Sequence, residues 1–227
     1  MQGLKALISE NGIGVIEFHN AKNIIENSHY DYIYHEHIFY FTLTSINNVL
    51  KNYGLYGFDF FKSPISGGSF VILFKKNKIN QSKNFRKMIE YENKSRTNSI
   101  SKWKKLDKVC LDHKFKLNNI IEKFSKEKNI AAYGASARSS TLINYLNLSN
   151  KTIKKVFDLN PLKSNLYTPG THILIKKPTE KELNKFNLII LLAWNFKKEI
   201  LNYLKKIKFI GEIIIPLPKI KLIKFKK

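Results

Sequence analysis

Four polar side chains stand in a row at Tyr34, His35, Glu36 and His37, inside a segment otherwise rich in aromatic residues (Tyr30, Tyr32, Phe39, Tyr40, Phe41). An unperturbed imidazole has a pKa of about 6.5, so it can accept a proton at neutral pH. A carboxylate beside it can orient the ring and stabilise its charged form, and a tyrosine can donate a hydrogen bond to a developing oxyanion. Those are the parts needed to remove a proton from carbon next to a carbonyl. Other readings compete. His35 and His37 are two apart, so on a strand they share a face and could bind metal or simply pack. The zinc-protease spacing needs a second histidine four residues after the first, and position 39 is Phe. Cys110, the only cysteine, lies far away in sequence, so no metal site is assigned. Residue types alone leave packing and catalysis equally open.

The elements that must position this cluster are set by a chain of 227 residues with 43% hydrophobic content. That suits one large domain or two small ones. The net charge of +23 invites a nucleic-acid reading, yet Arg86, Arg96 and Arg138 are the only arginines and every other basic residue is lysine. Readers of base edges and phosphates lean on the arginine fork. Lysines spread along the whole length read instead as a solvated surface, with a general attraction for polyanions such as a nucleotide diphosphate. A single cysteine fits a reducing compartment. Without an apolar run of membrane-spanning length or a signal-peptide apolar core, the expectation is a cytoplasmic protein that engages neither membrane nor specific nucleic acid.

Periodicity predicts a helix over 2–10 with Leu4 and Leu7 inward, a buried strand over 14–18, and a helix capped by Thr44 or Ser45 with Ile46, Val49 and Leu50 on its apolar face. Strands over 55–61 and 69–74, joined by a turn at 64–68, read as an antiparallel hairpin. Residues 78–128 are polar and lysine-rich with apolar positions at helical spacing, which predicts a helical linker of long amphipathic helices. From Asn129 onward strands and helices alternate: strands at 130–134, 153–158, 173–175, 188–193 and 212–215, with helices between. That alternation predicts a parallel α/β sheet with right-handed crossovers.

Ile130 to Ser136 is a strand entering a small-residue turn, a geometry that can present backbone N–H groups to phosphate. Asp158 ends the next strand, about where a ribose-binding acid sits. Gly134 is only one of the three glycines a nicotinamide dinucleotide site needs. The turn suits a nucleotide or phosphate group held by Arg138 and the hydroxyls of Ser136, Ser139 and Ser140. A tight turn that only needs small residues is the competing reading.

Six blocks then occur in one order: Asp31-Tyr32-Ile33-Tyr34-His35-Glu36-His37, Pro64-Ile65-Ser66-Gly67-Gly68-Ser69, Tyr133-Gly134-Ala135-Ser136-Ala137-Arg138, Asn160-Pro161-Leu162-Lys163, Tyr167-Thr168-Pro169-Gly170-Thr171-His172-Ile173 and Leu192-Ala193-Trp194-Asn195-Phe196. The ordered set resembles the sugar C-methyltransferases that act on nucleotide-linked keto-sugars with S-adenosylmethionine. The resemblance runs over nearly the whole chain. It implies residues 1–77 as the C-terminal portion of a class I methyltransferase domain, 78–128 as the helical linker, and 129–227 as a Rossmann-like C-terminal domain that helps hold the nucleotide-sugar. It also implies His37 as general base, with Tyr34 and Glu36 positioning the sugar and stabilising the enolate or the imidazolium. His35, Gly134, Ser136, Arg138, Asn160, Tyr167, Thr168 and Asn195 fall where the substrate would be held. Ser66 stands where such enzymes commonly have histidine, and Ser139-Ser140 replace a Gly-Asn pair.

The zinc module and donor-binding half of such enzymes have no counterpart in this sequence. S-adenosylmethionine is thus implied as cofactor by the resemblance while its binding motif is not found, and the chain alone is expected not to bind it. A companion chain supplying that half is an implied partner. Strand 14–18 would then present a bare edge, a docking surface or an aggregation liability. The runner-up reading is a non-catalytic nucleotide-sugar-binding module.

Overall fold

A computed structural model of the chain describes residues 1–64, 68–127 and 129–225. Packing divides the chain into two units, Met1–Ser28 with Ile38–Asp107, and His29–His37 with Lys108–Lys227. The chain therefore leaves unit 1 at Ser28, passes through unit 2, and returns at Ile38.

Unit 1 begins with α1 (Gln2–Leu7), β1 (Gly14–His19), α2 (Ala21–Asn27) and α3 (Leu43–Asn52). The hairpin strands β2 (Tyr56–Ser63) and β3 (Ser69–Lys75) follow, then α4 (Lys83–Lys94) and the start of α5 (Ile100–Ser125). β3 pairs antiparallel with both β1 and β2, giving the order β1-β3-β2. The predicted hairpin is present. Of the turn between its strands, Ile65, Ser66 and Gly67 lie outside the described residues. β1 stands at one edge and has a strand partner on one side only among the described residues, with Val15 exposed.

The core of this unit joins Leu43, Ile46 and Leu50 of α3, Phe60 of β2, Phe70, Ile72 and Phe74 of β3, and Phe85 of α4. The rings of Phe60 and Phe70 meet with centroids 4.8 Å apart. The cap of α3 lies two residues before Thr44, the nearer of the two expected caps. Thr42 is the cap, and Ser45 returns a hydrogen bond to the Thr42 N–H in a capping box. The buried carboxylate of Glu92 in α4 accepts from Leu43 N at 3.0 Å, Thr44 N at 2.8 Å and Thr44 Oγ1 at 2.6 Å. A negative charge at a helix N-terminus meets donors that have no intrahelical partner. Two expectations fail here: β1 is not a buried strand, its residues being half-buried or exposed, and α1 buries none of its residues, with Leu4 38% and Leu7 85% exposed.

Unit 2 is a six-stranded sheet in the order β6-β5-β4-β7-β8-β9. Its strands are β4 (Ile130–Tyr133), β5 (Lys155–Phe157), β6 (Ile175–Lys176), β7 (Leu188–Leu191), β8 (Gly211–Ile215) and β9 (Lys221–Phe225). β4 to β8 run parallel, and β9 returns antiparallel along β8. The helices α6 (Ala137–Tyr145), α7 (Glu180–Leu183) and α8 (Lys197–Lys206) make the connections. Every residue of β4 and β7 is buried, as parallel strands covered on both faces must be. Leu117 and Ile121 of α5, Leu142 and Ile143 of α6, and Ile200 and Leu204 of α8 complete the core. This is the predicted Rossmann-like α/β arrangement. The alternating pattern does not reveal β9, a lysine-bearing edge strand whose residues are mostly exposed; charge on an edge blunts unwanted pairing.

Candidate active site

The strand order of unit 2 runs outward in both directions from β4 and β7. A ligand in such sheets sits outside the carboxyl ends of these central strands. Here the turns that follow β4 and β7 approach each other closely. Gly134 follows β4 with φ +105°, and a Cβ on it would lie 2.5 Å from the Ala193 Cβ and 2.8 Å from the Ala193 nitrogen after β7. Glycine is required by both its conformation and this contact. Ala135 N donates to Asp158 Oδ2 at 2.7 Å, and Lys163 Nζ donates to the Ala135 carbonyl at 2.8 Å. Ser136 caps α6, accepting from Ser139 N at 3.2 Å. The small-residue turn is thus fastened by protein groups at each of these positions.

Against the same ends lies His29–His37. Tyr30–Tyr32 forms a 3₁₀ turn whose three residues are all buried. Asp31, with its side chain 1% exposed, is the centre of the contact. Its Oδ2 accepts from Arg138 Nε at 3.0 Å, Arg138 Nη2 at 2.6 Å and Trp194 Nε1 at 2.9 Å. The Arg138 guanidinium carbon stands 3.7 Å from the centre of the Tyr32 ring and 4.7 Å from that of Trp194. A planar, weakly hydrated cation suits a site between two aromatic faces. Burial pushes the Asp31 carboxyl up from its ordinary value, while the guanidinium and the indole N–H pull it back. His29, whose ring lies 4.7 Å from that of Trp194, is pushed down to about 4, first by burial and then by the Arg138 charge.

A second fastening sits one residue earlier. His113 Nε2 faces the Pro216 carbonyl at 2.8 Å. A carbonyl only accepts, so Nε2 carries the hydrogen, and Nδ1 accepts from the Tyr30 hydroxyl at 2.8 Å. Burial lowers the His113 pKa, in keeping with this neutral form, and raises that of the Tyr30 phenol.

From this base the chain makes a turn closed by His37 N donating to the Tyr34 carbonyl at 2.9 Å. The His37 ring comes back over the turn. Its Nδ1 lies 2.9 Å from the Tyr32 carbonyl and therefore bears the hydrogen, leaving the Nε2 lone pair toward the Tyr34 hydroxyl at 3.1 Å. The rings of Tyr32 and His37 are stacked with 12° between planes. His37 as a whole is half-buried. This arrangement can accept a proton at Nε2 with a phenol beside it.

The other predicted residues divide clearly. Tyr34 and His37 come together. Glu36 and His35 are exposed, and the His37 ring is hydrogen-bonded with the Tyr34 hydroxyl and the Tyr32 carbonyl. Thr168 is buried, its hydroxyl paired with that of Thr171 at 2.7 Å and accepting from Ile173 N. Asn160 caps a short turn by accepting from Leu162 N. Tyr167 is 61% exposed and Asn195 half-buried in the turn after β7. Sequence reasoning does not single out Asp31, Tyr32 and Trp194 as a group. The available signal is an aspartate flanked by tyrosines, since a carboxylate in such surroundings needs a buried cation.

A Rossmann-like unit that presents an imidazole–phenol pair defines this as an α/β protein with a candidate acid–base site. The chain belongs to the C-methyltransferase C-terminal domain family, whose model matches residues 64–218. It is also 25% identical over 222 residues to C-methyltransferase NovU of Streptomyces niveus, covering 96% of this chain and 53% of that protein. The chain thus spans about half the length of that curated relative. No helix among the described residues is long and apolar enough to cross a membrane.

Proposed function

We propose that this chain is the acceptor-handling part of a nucleotide-sugar C-methyltransferase, in which His37 removes the proton from the sugar carbon next to a ketone. The observation that carries the reading is the His37 ring itself, with Nδ1–H tied to a backbone carbonyl and the Nε2 lone pair beside a phenol. Nε2 takes the proton. The C–H electron pair moves into a carbon–carbon π bond, and the ketone becomes an enolate oxygen. For this the Tyr34 hydroxyl, which donates to Nε2 at rest, turns to the ketone oxygen as substrate enters, which frees the lone pair and gives the developing enolate oxygen a donor. General-base catalysis of this kind contributes about two to four orders of magnitude.

The class implies S-adenosylmethionine as the methyl donor. The described residues do not fit it. The glycine turn after β4 is closed by Ala193, Asp158 is used by Ala135 N and Asn160 N, and the passage from β1 to α2 through Asn20 carries no glycine. The chemistry assigned to these residues is therefore proton abstraction alone.

The test needs no donor. The chain is incubated in deuterium oxide with thymidine- and guanosine-diphosphate-linked keto-deoxyhexoses, and the proton next to the ketone is followed by NMR. Exchange faster than in buffer, slowed about a hundredfold or more in His37→Gln, is expected. Binding without exchange would make the chain a non-catalytic nucleotide-sugar-binding module; neither binding nor exchange would end both readings.

A further inference from the structure

We infer that Arg138 is a positioning residue for His37, acting through Asp31 and Tyr32, and not a ligand for a phosphate group. The inference rests on the reading of His37 as the base. Arg138 is engaged on three sides. One edge, Nε and Nη2, is spent on Asp31 Oδ2 at 3.0 and 2.6 Å. One face covers Tyr32, and Trp194 lies 4.7 Å from the guanidinium carbon. The side chain is only 12% exposed.

Asp31 and Tyr32 are consecutive, so one guanidinium fixes the side chain of the first and the ring of the second. Tyr32 in turn holds the base: its carbonyl receives Nδ1–H of His37 and so selects the tautomer, and its ring lies nearly parallel to the imidazole with centroids 6.1 Å apart. The line of contact runs Asp31–Arg138–Tyr32–His37 without a gap. Trp194 completes it by donating to the same Asp31 oxygen. A base on a short turn is precise only if the residues beneath it are locked, and a misplacement of about 1 Å can lower a rate a hundredfold.

The test uses two mild variants of the full chain. Arg138→Lys keeps the charge but loses the fork and the stacking; Asp31→Asn keeps the shape but removes the counter-charge. Both are checked for cooperative thermal unfolding. Keto-sugar proton exchange then gives kcat and KM, and NMR of imidazole-labelled protein gives the His37 ring signals and tautomer. Folded variants are expected to lose about ten- to a hundredfold in kcat with KM nearly unchanged, and the His37 ring signals are expected to move. Raised KM with unchanged kcat would overturn the inference and return Arg138 to the substrate. Unmoved His37 signals in both variants would overturn it as well. Should the wild-type chain exchange no proton, the proposed function fails separately, and the His37 signals alone decide the positioning.

Discussion

The Tyr34 hydroxyl stands 3.1 Å from His37 Nε2, and the two rings are 4.3 Å apart at a tilt of 39°. The phenol and the imidazole are three residues apart, on the two ends of one turn. Tyr34→Phe keeps the ring contact and removes only the hydroxyl. It is expected to slow keto-sugar proton exchange by about a hundredfold, the usual cost of losing one oxyanion donor, with little change in thermal stability. A fall in stability with unchanged exchange would assign the hydroxyl to structure alone.

Gly134→Ala places a methyl group 2.5 Å from the Ala193 Cβ in a backbone region that disfavours side chains. A loss of roughly 1–3 kcal/mol in urea unfolding is expected. If the turn instead cradled a ligand, the same change would leave unfolding nearly untouched and weaken nucleotide-sugar binding.

His29 sets a pH dependence. Its folded pKa of about 4 lies below the unfolded value of 6.5. Below pH 6.5 the unfolded chain takes up a proton that the folded chain refuses, so stability falls as pH drops toward 4, by up to about 3 kcal/mol. Lowered His113 acts in the same direction. Asp31 acts in the other: its raised carboxyl favours the folded state at acid pH and loses that advantage as pH rises through its folded value. His29→Phe retains a ring beside Tyr32, Trp194 and the Arg138 charge. Its urea midpoint is expected to vary less between pH 6.5 and 4 than that of the wild type.

The legible parts of this fold are those where composition alone forces burial. Leu188 to Leu191 and Ile213 to Ile215 have no polar residue and stand inside the sheet. The long helices over 83–94 and 100–125 follow from their spacing. Leu4 and Leu7 show the limit, since helical period says which residues share a side but not what meets that side. At the site, Tyr34 and His37 are readable from type and proximity. For Arg138 the sequence suggests a phosphate, while the structure shows its guanidinium on Asp31. Its partner, Asp31, lies 107 residues away in sequence, and no local rule joins them.

The packing of His29–His37 into unit 2 has a consequence for how this protein can be cut. The family match begins at residue 64, after that segment. A fragment chosen from the match, or from the second unit's continuous stretch at Lys108–Lys227, would carry Arg138 without its counter-charge and Trp194 without the acceptor for its indole N–H. The contiguous sequence module and the compact unit are different objects. A truncation drawn along the first strips the second of residues 29–37, and supplying them as a separate peptide would be the way to mend it.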